Sequence, residues 1–334
     1  MNNPVIGSLL RRPESGSVIS LILVLVLFVL AGAHVDRFLG AASWLNFAAN
    51  LGIVALPVGL LMISGEIDIS IGAMIPAGSM GIAIASGYYG LPIVVGMAIS
   101  LGIGVLVGLI NGLLAVRTSV PSLIITLGTL VGMQGVVLSA SVLLTGNASV
   151  PLTAPHWSKF MFGQLLAGSY QVIILWWILF AAVFLFVMHF TRYGNWIFAM
   201  GGDKESARNA GIPTRRMTIA LFVLTATCAS FVGMCGAIQF NSAQVSGGMN
   251  YIFNVIVSIV VGGVLLTGGF GSVLGIFIGT LTFAIVSQGI YFTQIDRNWS
   301  SLIIGMMLLL AMLMNNIFRR MALSYSSRKT DGRT

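Results

Sequence analysis

Charge is what this chain lacks. Eight carboxylates and sixteen basic residues among 334 amount to 7% of the sequence, against roughly a quarter in soluble domains, while 57% of the residues are hydrophobic. The chain therefore reads as a polytopic membrane protein with no sizeable soluble domain left over. Cysteine is nearly absent: Cys228 and Cys235 lie seven apart on one expected helix, about 10 Å along its axis, which excludes a disulfide between them. His34, His156 and His189 stand far apart without ligand spacing, so no metal site is expected. There is no Gly-Lys-Ser/Thr phosphate loop and no set of nucleophile, base and acid, so no catalytic residue and no cofactor are expected on this chain. Nor do basic residues interleave with aromatics in a stripe, so the net charge of +8 does not point to nucleic acid.

What is present is apolar length. Arg11 and Arg12 precede the run Val18–Ala33, which ends like a signal peptide but is taken as an uncleaved first span because membrane-embedded sequence follows. Further spans are expected at Asn46–Ile63, Ser70–Ser86, Leu91–Ala115, Pro121–Leu144, Tyr170–Phe190, Thr218–Phe240, Tyr251–Leu266, Ser272–Phe292 and Trp299–Phe318. This is an all-α chain of about ten spans, with residues 1–17 as an N-terminal segment, 18–318 as the membrane domain and 319–334 as a tail. Membrane lipid is its surroundings, and the 41 glycines suit helices packed through small residues. With both ends cytoplasmic, thirteen of the sixteen basic residues lie inside, leaving Arg37, Lys159 and Arg297 outside. Pro57 and Pro76 fall inside spans and predict kinks. Gly59–Gly65 can also be laid on Gly263–Gly269, a short match suggesting a duplicated hairpin.

One long interior stretch, Thr191–Met217, is rich in charge. Its seven charged residues would each cost about 2.5–3.5 kcal/mol at a bilayer centre, so it must lie in water, and its five cations place it inside. Gly201 and Gly202 are expected to break the chain, Asp203 to cap a helix from Lys204 to Ala210, Gly211 to end it and Pro213 to prevent its resumption. Ala207 and Ala210 are small enough for close approach of another surface.

A path through the membrane needs polar groups, and the strongest local candidate is Ser64–Gly72, between the second and third spans. Two readings stand: Asp68 or Ser70 caps the next helix with Glu66 solvated at the inner face, or Glu66 and Asp68 flank the cytoplasmic exit of the path or hold a broken helix at the cavity. Asn50, Asn111, Thr126, Gln134, Gln239, Asn254 and Gln288 are neutral polar residues within other spans. Together they suit a hydroxyl-rich solute better than an ion.

Three segments carry a resemblance: Ser64–Gly72 (SGEIDISIG), Gly201–Ile212 (GGDKESARNAGI) and Val261–Gly275 (VGGVLLTGGFGSVLG). In that order and spacing the chain resembles the permease subunits of bacterial sugar-type ABC importers, the group containing ribose, xylose and galactose permeases. The resemblance implies a type II ABC importer-like permease in the bacterial inner membrane, paired with a second permease copy or a paralogue. It implies as partners a cytoplasmic ABC ATPase holding ATP and Mg, and a periplasmic sugar-binding protein. The loop containing Gly201, Gly202, Asp203, Glu205, Ala207, Arg208, Gly211 and Ile212 would then be the segment docking on the ATPase. The first motif departs from the family's Gly-Gly-Ile-Asp-Leu-Ser at Ser64-Gly65-Glu66. The expected function is passage of a monosaccharide or related polyol. The alternatives are an ion-coupled secondary transporter, which needs a membrane-embedded carboxylate such as Glu66 or Asp68, an ABC permease for branched-chain amino acids, and a membrane enzyme.

Overall fold

A computed structural model describes residues 13–30 and 42–289, with the single positions 299, 302, 305, 306 and 309. The first twelve residues, most of the expected span Trp299–Phe318 and the tail 319–334 fall outside the described residues. The chain runs through α1 (Pro13–Leu30), α2 (Ala42–Ile63), α3 (Ile71–Ile82) with a π-helical turn (Ala83–Tyr88), α4 (Ile93–Arg117) and α5 (Ser122–Thr145). After α6 (His156–Phe162) come α7 (Ile173–Phe190), α8 (Arg192–Gly202), α9 (Lys204–Asn209), α10 (Thr214–Phe240), α11 (Met249–Val261) and α12 (Val273–Gly289). Two small antiparallel pairs, Ser149–Pro151 with Ser242–Gln244 and Leu165–Leu166 with Tyr170–Gln171, close the end of the bundle opposite α9. The class is all-α and polytopic.

Six helical stretches among the described residues are long and apolar enough to cross a membrane: Ala42–Ile63, Ile71–Tyr88, Ile93–Arg117, Ser122–Thr145, Ile173–Phe190 and Thr214–Phe240. Their burial differs sharply. The apolar window of α2 is 83% buried and that of α5 only 17%, so α2 is an axis of the bundle and α5 lies at its edge. Helix α10 packs on α4, α3 and α2, while α12 joins α2, α11 and α1.

Glycine spacing explains the tightest of these contacts. Gly104, Gly108 and Gly112 recur every four residues and so form one face of α4. A Cβ added to each would lie 2.7 Å from the Cα of Thr227, 2.6 Å from the Cα of Val223 and 2.8 Å from the Cα of Ile219, marching backwards along α10 one turn at a time. Backbone meets backbone along three turns of an antiparallel pair, the contact that small residues make possible in a membrane.

Three expectations need correction. The charged stretch holds two helices: α8 precedes the short α9, and Gly201 and Gly202 form the last turn of α8. The reason is an apolar face, with Ile197 and Met200 buried and Gly194 pressed against the carbonyl of Met188. Pro213 likewise does not delay the next helix, which starts at Thr214. The expected span Tyr251–Leu266 is a helix of only 13 residues, Met249–Val261, about 20 Å long and too short to cross about 30 Å of hydrocarbon. Gly263, at φ +86°, turns the chain out of that helix although apolar residues continue through Leu266. Pro57 and Pro76 do lie inside α2 and α3.

Candidate functional site

Three helices end in the same way. At the end of α2 the amide of Gly65 donates to Met62 O (2.9 Å) and that of Glu66 to Leu61 O (3.1 Å), with Gly65 at φ +90°. At the end of α9 the pairs are Gly211 to Arg208 O (3.0 Å) and Ile212 to Ala207 O (3.1 Å), with Gly211 at φ +84°. At the end of α11 they are Gly263 to Val260 O (2.9 Å) and Val264 to Ile259 O (3.2 Å). Each is a Schellman cap, in which a left-handed glycine lets two amides satisfy the helix's last carbonyls. The two break-and-return hairpins correspond at Gly65 and Gly263, six residues from the register in which Gly65 is laid on Gly269.

The breaks after α2 and α11 meet at the last turn of α8. The amide of Gly269 donates to Ile63 O across the two breaks (2.8 Å). Gly201 sits between those two groups, and a Cβ there would fall far inside van der Waals contact with both. Gly268, at φ +81°, lies against Gly65, with a built Cβ 2.9 Å from the Cα of Gly65 and 3.2 Å from Gly201 O. Only hydrogen-sized side chains permit three backbones to come this close. The three segments that carry the family resemblance, far apart in the chain, are thus one knot in space.

Immediately beyond the knot, Asp203 caps α9 by accepting from the amide of Ser206 (2.5 Å), which holds its carboxyl below its ordinary range. Lys204 forms an ion pair with Glu66, whose side chain is 15% exposed against 40% for the lysine. Ala207 is buried, while Glu205, Arg208 and Gly202 are exposed. Arg208 lies 3.8 Å from Glu205. Glu66 thus faces α9, neither solvated alone nor beside Asp68's partners.

Between α2 and α3 the chain runs without helix or strand from Glu66 to Ile69, and the bundle supplies what its backbone lacks. Ser122 Oγ accepts from the amide of Ile67 (3.2 Å) and Thr126 Oγ1 from that of Ile69 (3.3 Å). Asp68, fully buried, accepts from the Ser70 amide (2.9 Å), Ser70 Oγ (2.6 Å) and Thr225 Oγ1 (2.5 Å). Asn111 donates to Ser70 Oγ (3.0 Å) and accepts from Thr129 Oγ1 (2.6 Å). Burial raises the Asp68 carboxyl above its ordinary value, opposed by the donors on Ser70 and Thr225. The arrangement staples the break to α4, α5 and α10.

The other polar candidates do not join this network. Asn50 donates to Gln171 Oε1 (2.9 Å) at the opposite end of α2. Gln239, Asn254 and Gln288 are half-buried on α10, α11 and α12, and Gln134 reaches Met249. Thr129, Ser122 and Thr225 are network members beyond the candidate set. The first two were readable, because Ser122, Thr126 and Thr129 recur at helical spacing on one face of α5.

Comparison with known proteins is consistent across the chain. Residues 40–312 match the family described as branched-chain amino acid transport system / permease component. The fructose import permease protein of Rhizobium meliloti is 28% identical over 320 residues, 93% of this chain and 87% of that protein. The fructose import permease protein of Bifidobacterium longum is 30% identical, covering 78% of each chain. The ribose import permease protein of Escherichia coli K12 is 26% identical, covering 89% of this chain and 92% of its own. No solved structure matches.

Proposed function

The chain belongs to the branched-chain amino acid transport system / permease component family, and on that premise we propose that it is the membrane-spanning subunit of an ATP-driven importer for a monosaccharide or related polyol. Relatives named for fructose and ribose favour a sugar over the amino acids of the family's title. As a permease the chain is a transport subunit, and ATP and Mg belong to a separate cytoplasmic ATPase. A second permease copy or a paralogue and a periplasmic binding protein complete the assembly in the bacterial inner membrane. Thr191–Met217 and both ends of the chain face the cytoplasm, as the basic residues require.

The observation that carries this reading is the knot at Gly201. A helix that docks on an ATPase is useful only if its displacement reaches the path, and α9 leaves the knot directly. Movement of α9 carries the end of α8, and with it the turns after α2 and α11, because these backbones are in contact and share the Gly269–Ile63 hydrogen bond. Packed elements of this kind transmit shifts as rigid pieces, so the breaks move together. An ion-coupled mechanism gains no support from Asp68, whose oxygens are buried and already accept three hydrogen bonds.

The test is uptake by proteoliposomes containing the permease, its ATPase and its binding protein. Sugar should accumulate with ATP and no ion gradient, and a proton or sodium gradient without ATP should drive none. The reverse pattern would reject the reading. Within the same assay Glu66→Lys and Lys204→Glu should each lower uptake about tenfold, an energetic cost of about 1.4 kcal/mol, by leaving like charges at the α9 contact. The double variant should recover most of the loss, and failure to recover would show that the pair is not what joins α9 to the first break.

A further inference from the structure

We propose that Gln134, Ser246, Asn250 and Asn254 form a station halfway across the membrane at which the hydroxyls of the passing sugar are hydrogen-bonded. This rests on the importer reading above and names, within it, the residues that hold a neutral, hydroxyl-rich solute.

The site lies near the bilayer centre. Helix α10 has 27 residues, about 40 Å, and serves as a ruler. Thr225 on it donates to Asp68 and Ser230 to the carbonyl of Met74, so Gly72, between those two, lies level with the middle of α10. Gly248 is pressed against Gly72: a Cβ there would run into Gly72 O and come within 3.0 Å of Pro76 Cδ. Helix α5 gives the same level independently, because Gln134 stands at the middle of its 24 residues and donates to Met249 Sδ. The chain thus descends from Ser242–Gln244 to the bilayer centre before α11 begins. Ser246 is two residues from that level, about 7 Å at most, and Asn250 and Asn254 lie about 3 and 9 Å beyond it along α11. All fall inside the hydrocarbon, whose half-thickness is about 15 Å.

What sits at this depth is polar and uncovered. Residues 245–248 form neither helix nor strand, and Ser246 and Gly247 are exposed. Asn250 is exposed and Asn254 half-buried, one turn apart on one face of α11. Neither side-chain amide has a hydrogen-bond partner among the described residues. Irregular backbone at membrane depth is tolerated only when it is buried in protein or lines water, and this backbone is not buried. The face therefore opens on water.

Its chemistry selects the ligand. No charged residue occurs in 122–145 or in 241–261, so nothing here suits an ion or a zwitterion. Primary amides both donate and accept, as sugar hydroxyls do, and can replace the water that the solute sheds. Phe253, 66% exposed and one turn from Asn250, supplies an apolar surface for the sugar's C–H face. The other end of α11 is the break at Gly263, so displacement of the knot moves Asn250 and Asn254 with it.

Two measurements test this. In membranes holding the complete importer, S246C and N250C in a C228A/C235A chain should react with a sulfonate-bearing methanethiosulfonate as readily as T153C, at an exposed loop position. V105C, at the exposed centre of the apolar α4, should remain unmodified. Proteoliposomes supplied with D-fructose or D-ribose give the second reading. N250L/N254L, similar in shape but without hydrogen-bonding groups, should lower uptake per inserted chain about tenfold or more, while N250S/N254S retains most of it. Stimulation of ATP hydrolysis by the loaded binding protein should survive in both, since the knot is untouched. Modification of S246C and N250C no faster than that of V105C would mean a dry or lipid-facing surface and overturn the proposal. Parental uptake in N250L/N254L overturns the sugar assignment, and loss of ATPase stimulation together with uptake would make these residues coupling elements instead. Loss of the permease pair in N250L/N254L would assign the face to a second copy and overturn it as well. Thiol reactivity is read without sugar, so a parent that accumulates neither sugar fails the importer reading, while the wet face still stands or falls by S246C and N250C.

Discussion

Replacing Gly201 with valine is expected to abolish sugar uptake in membranes that contain the chain at parental levels, while replacing Gly202 with alanine leaves the melting temperature at the parental value. The two glycines are neighbours in sequence and opposites in space. A Cβ on Gly201 meets the carbonyl of Ile63 and the amide of Gly269, both backbone groups, so no side-chain rotation can relieve the clash. A Cβ on Gly202 meets nothing within 4 Å, and the residue is exposed. Overpacking at a backbone junction costs about 3 kcal/mol, enough to force the end of α8 away from both breaks. Alanine at position 202, in the last turn of a helix, is neutral or slightly stabilising. The spans are untouched by either change, so insertion should be normal, and uptake is read per inserted chain. Parental uptake in Gly201→Val would mean that the three breaks need not move as one piece.

The contrast between these two positions also marks what the sequence could reveal. Local features were readable. Asp203 caps α9 and Gly211 ends it in the left-handed conformation, because a cap depends on residues within four or five positions. Most spans were readable too, since hydropathy is a property of a window. The end of α11 was not, because Val264, Leu265 and Leu266 continue the apolar run beyond the glycines that stop the helix. Hydropathy reports solvent preference and cannot distinguish a helix from an apolar turn, of which Val264 is buried and Leu266 exposed. Helix α8 was hidden by the opposite error: its flanking charges read as loop, although Ile197 and Met200 sit at near-helical spacing and are buried.

Contacts between distant segments were the least accessible. Glu66 looks like an intruder, standing where the family resemblance has glycine. Its partner Lys204 lies 138 residues further on, and neither residue alone points to the other. The same holds for Gly201, whose importance comes from Ile63 and Gly269. The resemblance named the three segments, and the packing supplies a physical reason for them to occur together: Gly201 and Gly268 each bring a backbone into a space too small for any side chain, against the turn at Gly65.

Asp68 provides the other large effect. Asp68→Ala should cost about 3 kcal/mol or more and eliminate uptake, because the amide and hydroxyl of Ser70 lose their buried acceptor and the cavity left behind remains unfilled. Thr225 loses least, since its hydroxyl can turn to Phe222 O at 2.9 Å. Asp68→Asn is much milder: its carbonyl can still accept from Ser70, and its amide can donate to Thr225 once that hydroxyl has turned. The two variants therefore separate the need for an acceptor from the need for a charge. Acid adds a second distinction. Burial raises the Asp68 carboxyl above its ordinary 3.8, so between that value and the raised one the folded chain holds a proton that the unfolded chain releases. Stability from this group is thus present at low pH and is lost as pH rises through the folded value. The melting temperature of the parent relative to Asp68→Asn should increase as pH falls through that window, because asparagine has no proton to gain. A constant difference across the window would show that Asp68 does not titrate there. Parental melting and uptake in Asp68→Ala would show that the segment between α2 and α3 is held by Ser122 and Thr126 alone.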